Sequence, residues 1–464
     1  MTAGNGPGGP SSERPGGVAR ASRRPGNAPP AWKLGLALVS LALSLLLWLN
    51  GLVDSLSRPS VGGDLNLRQL ELAVLAEPQI PASLRPLLAG RDPAQALETA
   101  LAEQIRSSEE VGTPAPQELQ LERVLLLQRL GRRQEAEALS RDLPADAART
   151  VAASASQRPL LRQLLCEQAG AAANRCDAAA ASRRAMAQLL AVTLVPAAVL
   201  LLGVALLLRE LWLLWRRRQP APAPLQGPPL SGLDAVLLIA GGFVVVGELL
   251  TPLLVTPLLQ AVLEELAITS PLREGLSVLV LYLALMAGPL LILSLMLAGL
   301  GPAPEGGWLL FRWRPLATCL RPAVCVLLLV LPLVSLVGWL QGQVWGDPGG
   351  SNPLLDLVLR SHDATALACF GLTAVVLAPV FEETIFRGVL LPVLGRELGA
   401  GWGVVLSAAV FAVAHLSLGE LPPLFMLGLG LGWLRWSGGR LGSCVLMHAL
   451  WNGLTFSNLL LLGS

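Results

Sequence analysis

Three groups of polar side chains stand in otherwise apolar sequence near the C-terminus: Glu382, Glu383 and Arg387 in FEETIFRG, His415 in FAVAH, and His448 with Asn452 in HALWN. An ionisable group at membrane depth costs about 2.5 kcal/mol or more, so such residues tend to face an internal cavity and mark a working site. The chain has three histidines, and two of them are here. Glu383 and Arg387 are four apart, share a helix face and form the favourable ion pair. Glu382 is rotated by about 100° from Glu383 and must find another partner, which leaves it available as a general base. His448 and Asn452 are also four apart and project from one face as two hydrogen-bond donors, the arrangement that stabilises an oxyanion in acyl transfer. His415, one turn after Phe411, is placed to hold a water with Glu382.

Each group also has a plainer reading. A buried Glu and Arg pair can be a packing device, a buried histidine a satisfied core residue, and Asn452 a hydrogen-bonded link between helices. All three in consecutive apolar segments favour a site. Other features do not reach that level. Ser361, His362 and Asp363 read as a loop triplet, with no GxSxG elbow or SxxK motif to support a serine nucleophile. Gly428 and Gly432 make a GxxxG pair for close helix approach. The segment from Trp308 to Pro315 has interfacial character and is expected along the cytoplasmic membrane face.

The elements that must position these residues are transmembrane. The 464 residues are 53% hydrophobic and 14% charged, with a mean hydropathy of +0.59, well beyond what a soluble core of this size needs. The expected fold is all-α, a polytopic helical membrane protein with about nine transmembrane helices and an extracytoplasmic helical insert. The net charge of +2, with basic residues in short clusters beside apolar runs, argues against nucleic acid as a partner. The lipid bilayer is the expected surrounding of the spans.

Residues 1–31, rich in Gly, Pro, Ser and Arg, read as a disordered cytoplasmic tail. Residues 32–56 form the first transmembrane helix, a signal anchor whose preceding arginines hold the N-terminus inside. Residues 57–185 turn polar and helix-favouring, a soluble helical insert that could take a protein partner. Its LQLERVLLLQRLGRRQEAEALSRDL looks like one tetratricopeptide-like hairpin joined at Leu130 and Gly131, without a second copy. A disulfide between Cys166 and Cys176 is an option there if the insert faces an oxidising compartment. Residues 186–215 form the second transmembrane helix and 216–233 a proline-rich linker, read as an extended spacer. The domain 234–464 carries seven further apolar runs: Ala235 to Leu259, Leu276 to Leu300, Ala323 to Leu340, Ala364 to Val380, Trp402 to Leu418, Leu424 to Trp436 and Leu441 to Leu462. Loop charges alternate with this count, arginines on the inside and carboxylates outside, which puts the insert extracytoplasmic and the Glu382 cluster toward the cytoplasmic side of a plasma or internal membrane.

The three motifs together resemble those of the CPBP family, the intramembrane endopeptidases that include type II CAAX prenyl proteases and bacteriocin-processing or immunity proteins. The family pattern EExxxR, FxxxH, HxxxN is intact as Glu382-Glu383-TIF-Arg387, Phe411-AVA-His415 and His448-ALW-Asn452, and the resemblance covers about Asp234 to Ser464. It implies hydrolysis of a peptide bond in a membrane-associated protein or peptide. By that similarity Glu382 and His415 activate water, His448 and Asn452 form the oxyanion hole, and Glu383, Arg387 and Phe411 support them. The chemistry is expected to be glutamate-based without a metal. In the metal-dependent alternative, Glu382, His415 and His448 would ligate a divalent ion such as zinc. Two other functions compete: a non-catalytic scaffold or immunity protein of the same fold, and a transporter using Glu382 and the histidines as a proton relay.

Overall fold

The computed structural model describes residues 29–57, 61–110, 115–141, 143–144, 158–168, 177–216, 224–345, 350 and 352–463. Nearly all of the expected N-terminal tail lies outside them, as does Cys176. Every long element among the described residues is a helix. The chain is all-α, and among the described residues seven helices are long and apolar enough to cross a membrane. We label them in chain order with the shorter helices between. The first is α1 (Ala31–Ser55), and the insert follows with α2 (Val61–Ala76), α3 (Pro93–Glu110), α4 (Gln117–Arg129), α5 (Arg133–Ser140) and α6 (Pro159–Gln168). Next come α7 (Ala178–Arg216), α8 (Gly232–Glu265), α9 (Leu272–Ala298) and α10 (Leu316–Trp345). The short α11 (Pro353–Arg360) precedes α12 (Ala364–Leu398), and α13 (Ala400–Val413), α14 (Leu421–Gly438) and α15 (Leu441–Gly463) close the chain.

All nine expected apolar runs contain a helix, the one from Trp402 being helical only to Val413, but two fall short as independent spans. At 1.5 Å rise per residue, the 14 residues of α13 reach about 21 Å, against a hydrocarbon core of about 30 Å. Arg435 and the glycines of α14 keep that helix below the apolarity of the other seven. The two pack closely against each other. A Cβ on Gly428 would lie 2.9 Å from the Ala408 side chain, and one on Gly432 would lie 3.0 Å from Val404.

Two ends of the bundle differ in character. At one end, Lys33 of α1 pairs with Asp234 at 2.5 Å. The expected spacer is docked there from residue 224 onward. Arg396 donates to the Pro228 and Leu230 carbonyls, and Arg435 to that of Gln226. The segment around Trp308 is not a helix but a strap, whose Leu310 and Phe311 carbonyls accept the amides of Leu441 and Gly442 at 3.0 Å. These amides open α15 and would otherwise lack partners. At the other end sits the insert, whose core includes Leu72, Leu126 and Leu160 and runs into Val358 and Leu359 of α11 and Leu459 and Leu462 of α15. In the insert, α4 and α5 form the expected hairpin, with Gly131 at φ +79° in the turn. Asp363 is a helix cap, its carboxylate accepting the Ala366 amide at 2.8 Å. Cys166 is disulfide-bonded, while Cys319, Cys325, Cys369 and Cys444 are free thiols.

The insert buries a charged group. Arg158 bonds Glu71 and sits 2.6 Å from Glu122. Burial pushes the Glu122 carboxyl up to about 8, with Glu71 adding to the rise and Arg158 and Arg68 opposing it. Because the folded-state value lies above the unfolded one, this group favours the fold most below about pH 4.5, and that contribution is lost as pH rises through about 8. Amide exchange over α4 in the full chain should therefore show protection falling by a few kcal/mol between about pH 5 and 8.5. Glu122→Gln should flatten the profile; an unchanged slope in that variant would assign the effect to another group.

Candidate active site

Glu382 and Glu383 end a regular turn of α12 that is flanked by π-helical winding at Leu372–Leu377 and Thr384–Leu390. Such wide turns are rare and concentrate at functional sites. Arg387 follows one turn after Glu383, and its Nη1 donates to Glu383 Oε1 at 2.8 Å with both side chains fully buried. Its Nη2 donates to the Gly428 carbonyl at 3.2 Å, and its guanidinium lies 4.3 Å from the centre of the Phe411 ring. The same Glu383 Oε1 accepts from His448 Nδ1 at 2.9 Å. This carboxylate therefore anchors an arginine from its own helix and an imidazole from α15.

Glu382 points the other way, as its helical phase requires. Its Oε1 accepts the Tyr282 hydroxyl at 3.4 Å. Its Oε2 is buried without a hydrogen-bond partner, and both His415 Nε2 and His448 Nε2 lie 3.9 Å from it. That separation is too long for a direct hydrogen bond and suits a bridging water. His415 follows the end of α13, where Leu416 at φ 52° turns the chain, and its Nδ1 sits 2.8 Å from the Phe411 carbonyl. A carbonyl can only accept, so Nδ1 carries a proton, and in the neutral ring Nε2 is an acceptor aimed toward Glu382. The Phe411 ring packs edge-on against both imidazoles, at 4.7 and 5.7 Å between centroids.

Asn452, one turn beyond His448 on α15, donates from Nδ2 to the Ala374 carbonyl at 2.8 Å. One N–H of the amide remains. Glu382, His415, His448 and Asn452 line one cavity of about 570 Å³, walled by Leu354, Leu424, Trp451 and Phe456, within the range of ligand sites. All four residues expected at the site meet there, with Glu383, Arg387 and Phe411 directly behind. His362 and Ser361 stand apart, beside a different cavity.

Glu382 falls near the middle of its 35-residue rod. The structure adds Tyr282 to the expected residues through its contact with Glu382; it is the sole tyrosine of the chain, set in the apolar run of α9. For a metal the fit is poor: no group of three His, Cys, Asp or Glu side chains among the described residues is arranged to hold one.

Comparison with curated proteins and with solved structures gives no match. Two family models do match. Residues 62–187 match a domain of unknown function (DUF8675), which spans the insert. Residues 364–454 match the type II CAAX prenyl endopeptidase Rce1-like family, and this stretch contains the carboxylates of α12, both site histidines and Asn452. The polytopic chain thus carries at its C-terminal end a domain of the Rce1-like, type II CAAX prenyl endopeptidase family.

Proposed function

We propose that the chain is an intramembrane endopeptidase in which Glu382 is the general base. The observation that carries this reading is the unpartnered Glu382 Oε2 with two imidazole nitrogens each 3.9 Å away. A water in that gap gives one hydrogen to Glu382 and the other to His415 Nε2, so its lone pair is free to attack a carbonyl carbon. Glu382 takes the proton as the carbon–oxygen bond forms. The resulting oxyanion is met by the remaining Asn452 N–H and by Nε2–H of His448 in its doubly protonated form, which Glu383 supports through Nδ1. Glu382 then returns its proton to the leaving nitrogen as the carbon–nitrogen bond breaks. Seclusion among apolar helices strengthens each of these contacts relative to water.

Tyr282, itself part of the cavity's wall, holds Glu382 through Oε1. Tyr282→Phe removes one hydrogen bond to a charged group, a loss of about 1.5 kcal/mol, so kcat should fall roughly tenfold with KM little changed. Peptide cleavage by the purified variant measures both. An unaltered kcat would remove Tyr282 from the site.

The function itself is tested by comparing membrane fractions from cells carrying the native chain or Glu382→Ala. A protease leaves a polypeptide uncut in the variant. A scaffold or immunity protein leaves the two proteomes alike and keeps its phenotype, and that result would end the protease reading.

A further inference from the structure

Of the cavity's lining, Asn352 and Pro353 are exposed and Glu420 and Pro423 half-buried at the insert's end, and Thr455 is exposed on the flank of α15. Leu418 donates its amide to Ser55 Oγ at the C-terminus of α1, Gly463 packs on Leu359, and α11 divides its side chains between two neighbours. Leu354, Leu355 and Leu357 of α11 face the cavity, while Val358 and Leu359 are buried in the insert's core. Val358 lines both this cavity and a second one of about 750 Å³ between the insert and the bundle.

Toward the opposite end the site is sealed. The next layer consists of Glu383, Arg387 and Phe411, all at 0% exposure, with Arg387 bonded across to Gly428. Among the described residues, none of the cavity's lining comes from the docked linker, the strap 308–315 or the α12–α13 turn.

The two ends can be assigned to compartments. The sealed end carries Lys33, Arg216, Arg312, Arg314, Arg396 and Arg440, the excess of basic residues that marks a cytoplasmic face. The open end has fewer, Arg183 and Arg184 at the start of α7 with Arg273 and Arg360, and the last two are paired with Glu264 at 2.7 Å and Asp356 at 2.6 Å. Independently, the insert holds the disulfide-bonded Cys166, and disulfides persist in oxidising, non-cytoplasmic compartments.

We propose that the site takes its substrate from the non-cytoplasmic face: an apolar, unfolded stretch of an exported or membrane-anchored protein, admitted past α11 beneath the insert. This rests on the endopeptidase reading and adds to it the direction of entry and the substrate class. A cytoplasmic tail, prenylated or not, would meet the sealed Arg387 layer. The leucine, tryptophan and phenylalanine walls select apolar residues around the scissile bond, and the insert, gripping α11 from outside, sets how wide the mouth stands.

The test uses the full chain with its exposed thiol removed by Cys325→Ser. Ala374→Cys puts a thiol in the cavity wall, and Ser437→Cys puts one at the arginine-rich end as the orientation control. A small membrane-impermeant methanethiosulfonate is applied to sealed right-side-out and inverted vesicles. The Ala374→Cys thiol should react at least tenfold faster in right-side-out vesicles, and the Ser437→Cys thiol in inverted ones. Reaction of Ala374→Cys from the cytoplasmic face only, or from neither face, overturns the proposal. In parallel, a quenched fluorogenic apolar peptide is offered to each vesicle type and to detergent-solubilised chain. Cleavage in detergent and in right-side-out vesicles supports entry from the insert's side; cleavage in detergent and in inverted vesicles alone overturns entry while leaving the protease intact. If no preparation cleaves but Ala374→Cys labels as expected, the protease reading fails and the access route stands.

Discussion

Glu382→Gln should lower kcat/KM by about 10³-fold, within the 10²- to 10⁴-fold typical of a positioned acid–base group. The amide keeps the size of the carboxyl and can still accept from Tyr282 through its carbonyl oxygen, so packing around α9 and α12 is retained. It cannot take a proton from water at neutral pH, and one of its two ends becomes a donor facing His415 Nε2 and His448 Nε2. KM should move little, because Glu382 acts on the water rather than on the substrate chain. The measurement is steady-state cleavage of a membrane-derived peptide by purified chain, beside a thermal unfolding trace that confirms the fold. A variant within threefold of native activity would remove Glu382 from the reaction and leave the cavity as a binding site only.

Arg387→Met should destabilise the bundle by about 3–5 kcal/mol, the range for breaking a buried ion pair from one side. Glu383 is fully buried, and Arg387 supplies its charge partner at 2.8 Å. Methionine fills much of the volume but strands the carboxylate with only His448 beside it. The variant also loses the bond to the Gly428 carbonyl and the contact with the Phe411 ring. Removing both charges, with Glu383→Gln and Arg387→Met together, should restore a large part of the loss, since replacing a whole buried pair is often close to neutral. Equilibrium unfolding in mixed micelles reads the three variants. If the single change shifts stability by less than about 0.5 kcal/mol, the pair does not hold α12 to α14 as described. The double variant should still be inactive, because a neutral glutamine amide can accept from His448 Nδ1 but no longer supports the ring's second proton by its charge.

The Glu383–Arg387 pair was legible from spacing because a helix makes residues four apart neighbours whatever else the chain does. The convergence of His415 and His448 on Glu382 was legible for a different reason: each group stood in apolar sequence, where solvation by lipid is not an option. Sharing of Glu383 between Arg387 and His448 could not be read, since it depends on how α15 is rotated against α12. Tyr282 was missed because a single tyrosine in an apolar run carries no spacing signal. The all-α polytopic architecture followed from composition, but the number of full spans did not. Apolar letters do not disclose that Gly399, at φ 92°, ends one rod and starts a short one. The docked linker was equally hidden: proline content predicts stiffness, not that two arginines nearly 170 and 210 residues away will hold its carbonyls.

One helix has consequences for the molecule as a mechanical object. The rod from Ala178 to Arg216 has 39 residues and a length of about 58 Å. It starts among the buried side chains of the insert, where Ala185 and Leu189 belong to the core, and runs unbroken to the arginine-rich end. The DUF8675 match stops at residue 187, inside this rod. The angular setting of the outer domain over the mouth is thus fixed by helical phase, like a cam on its shaft. Adding or removing a single residue between 190 and 200 would turn that domain by about 100°, carry its apolar face away from Val358 and Leu359, and leave α11 without its outer support.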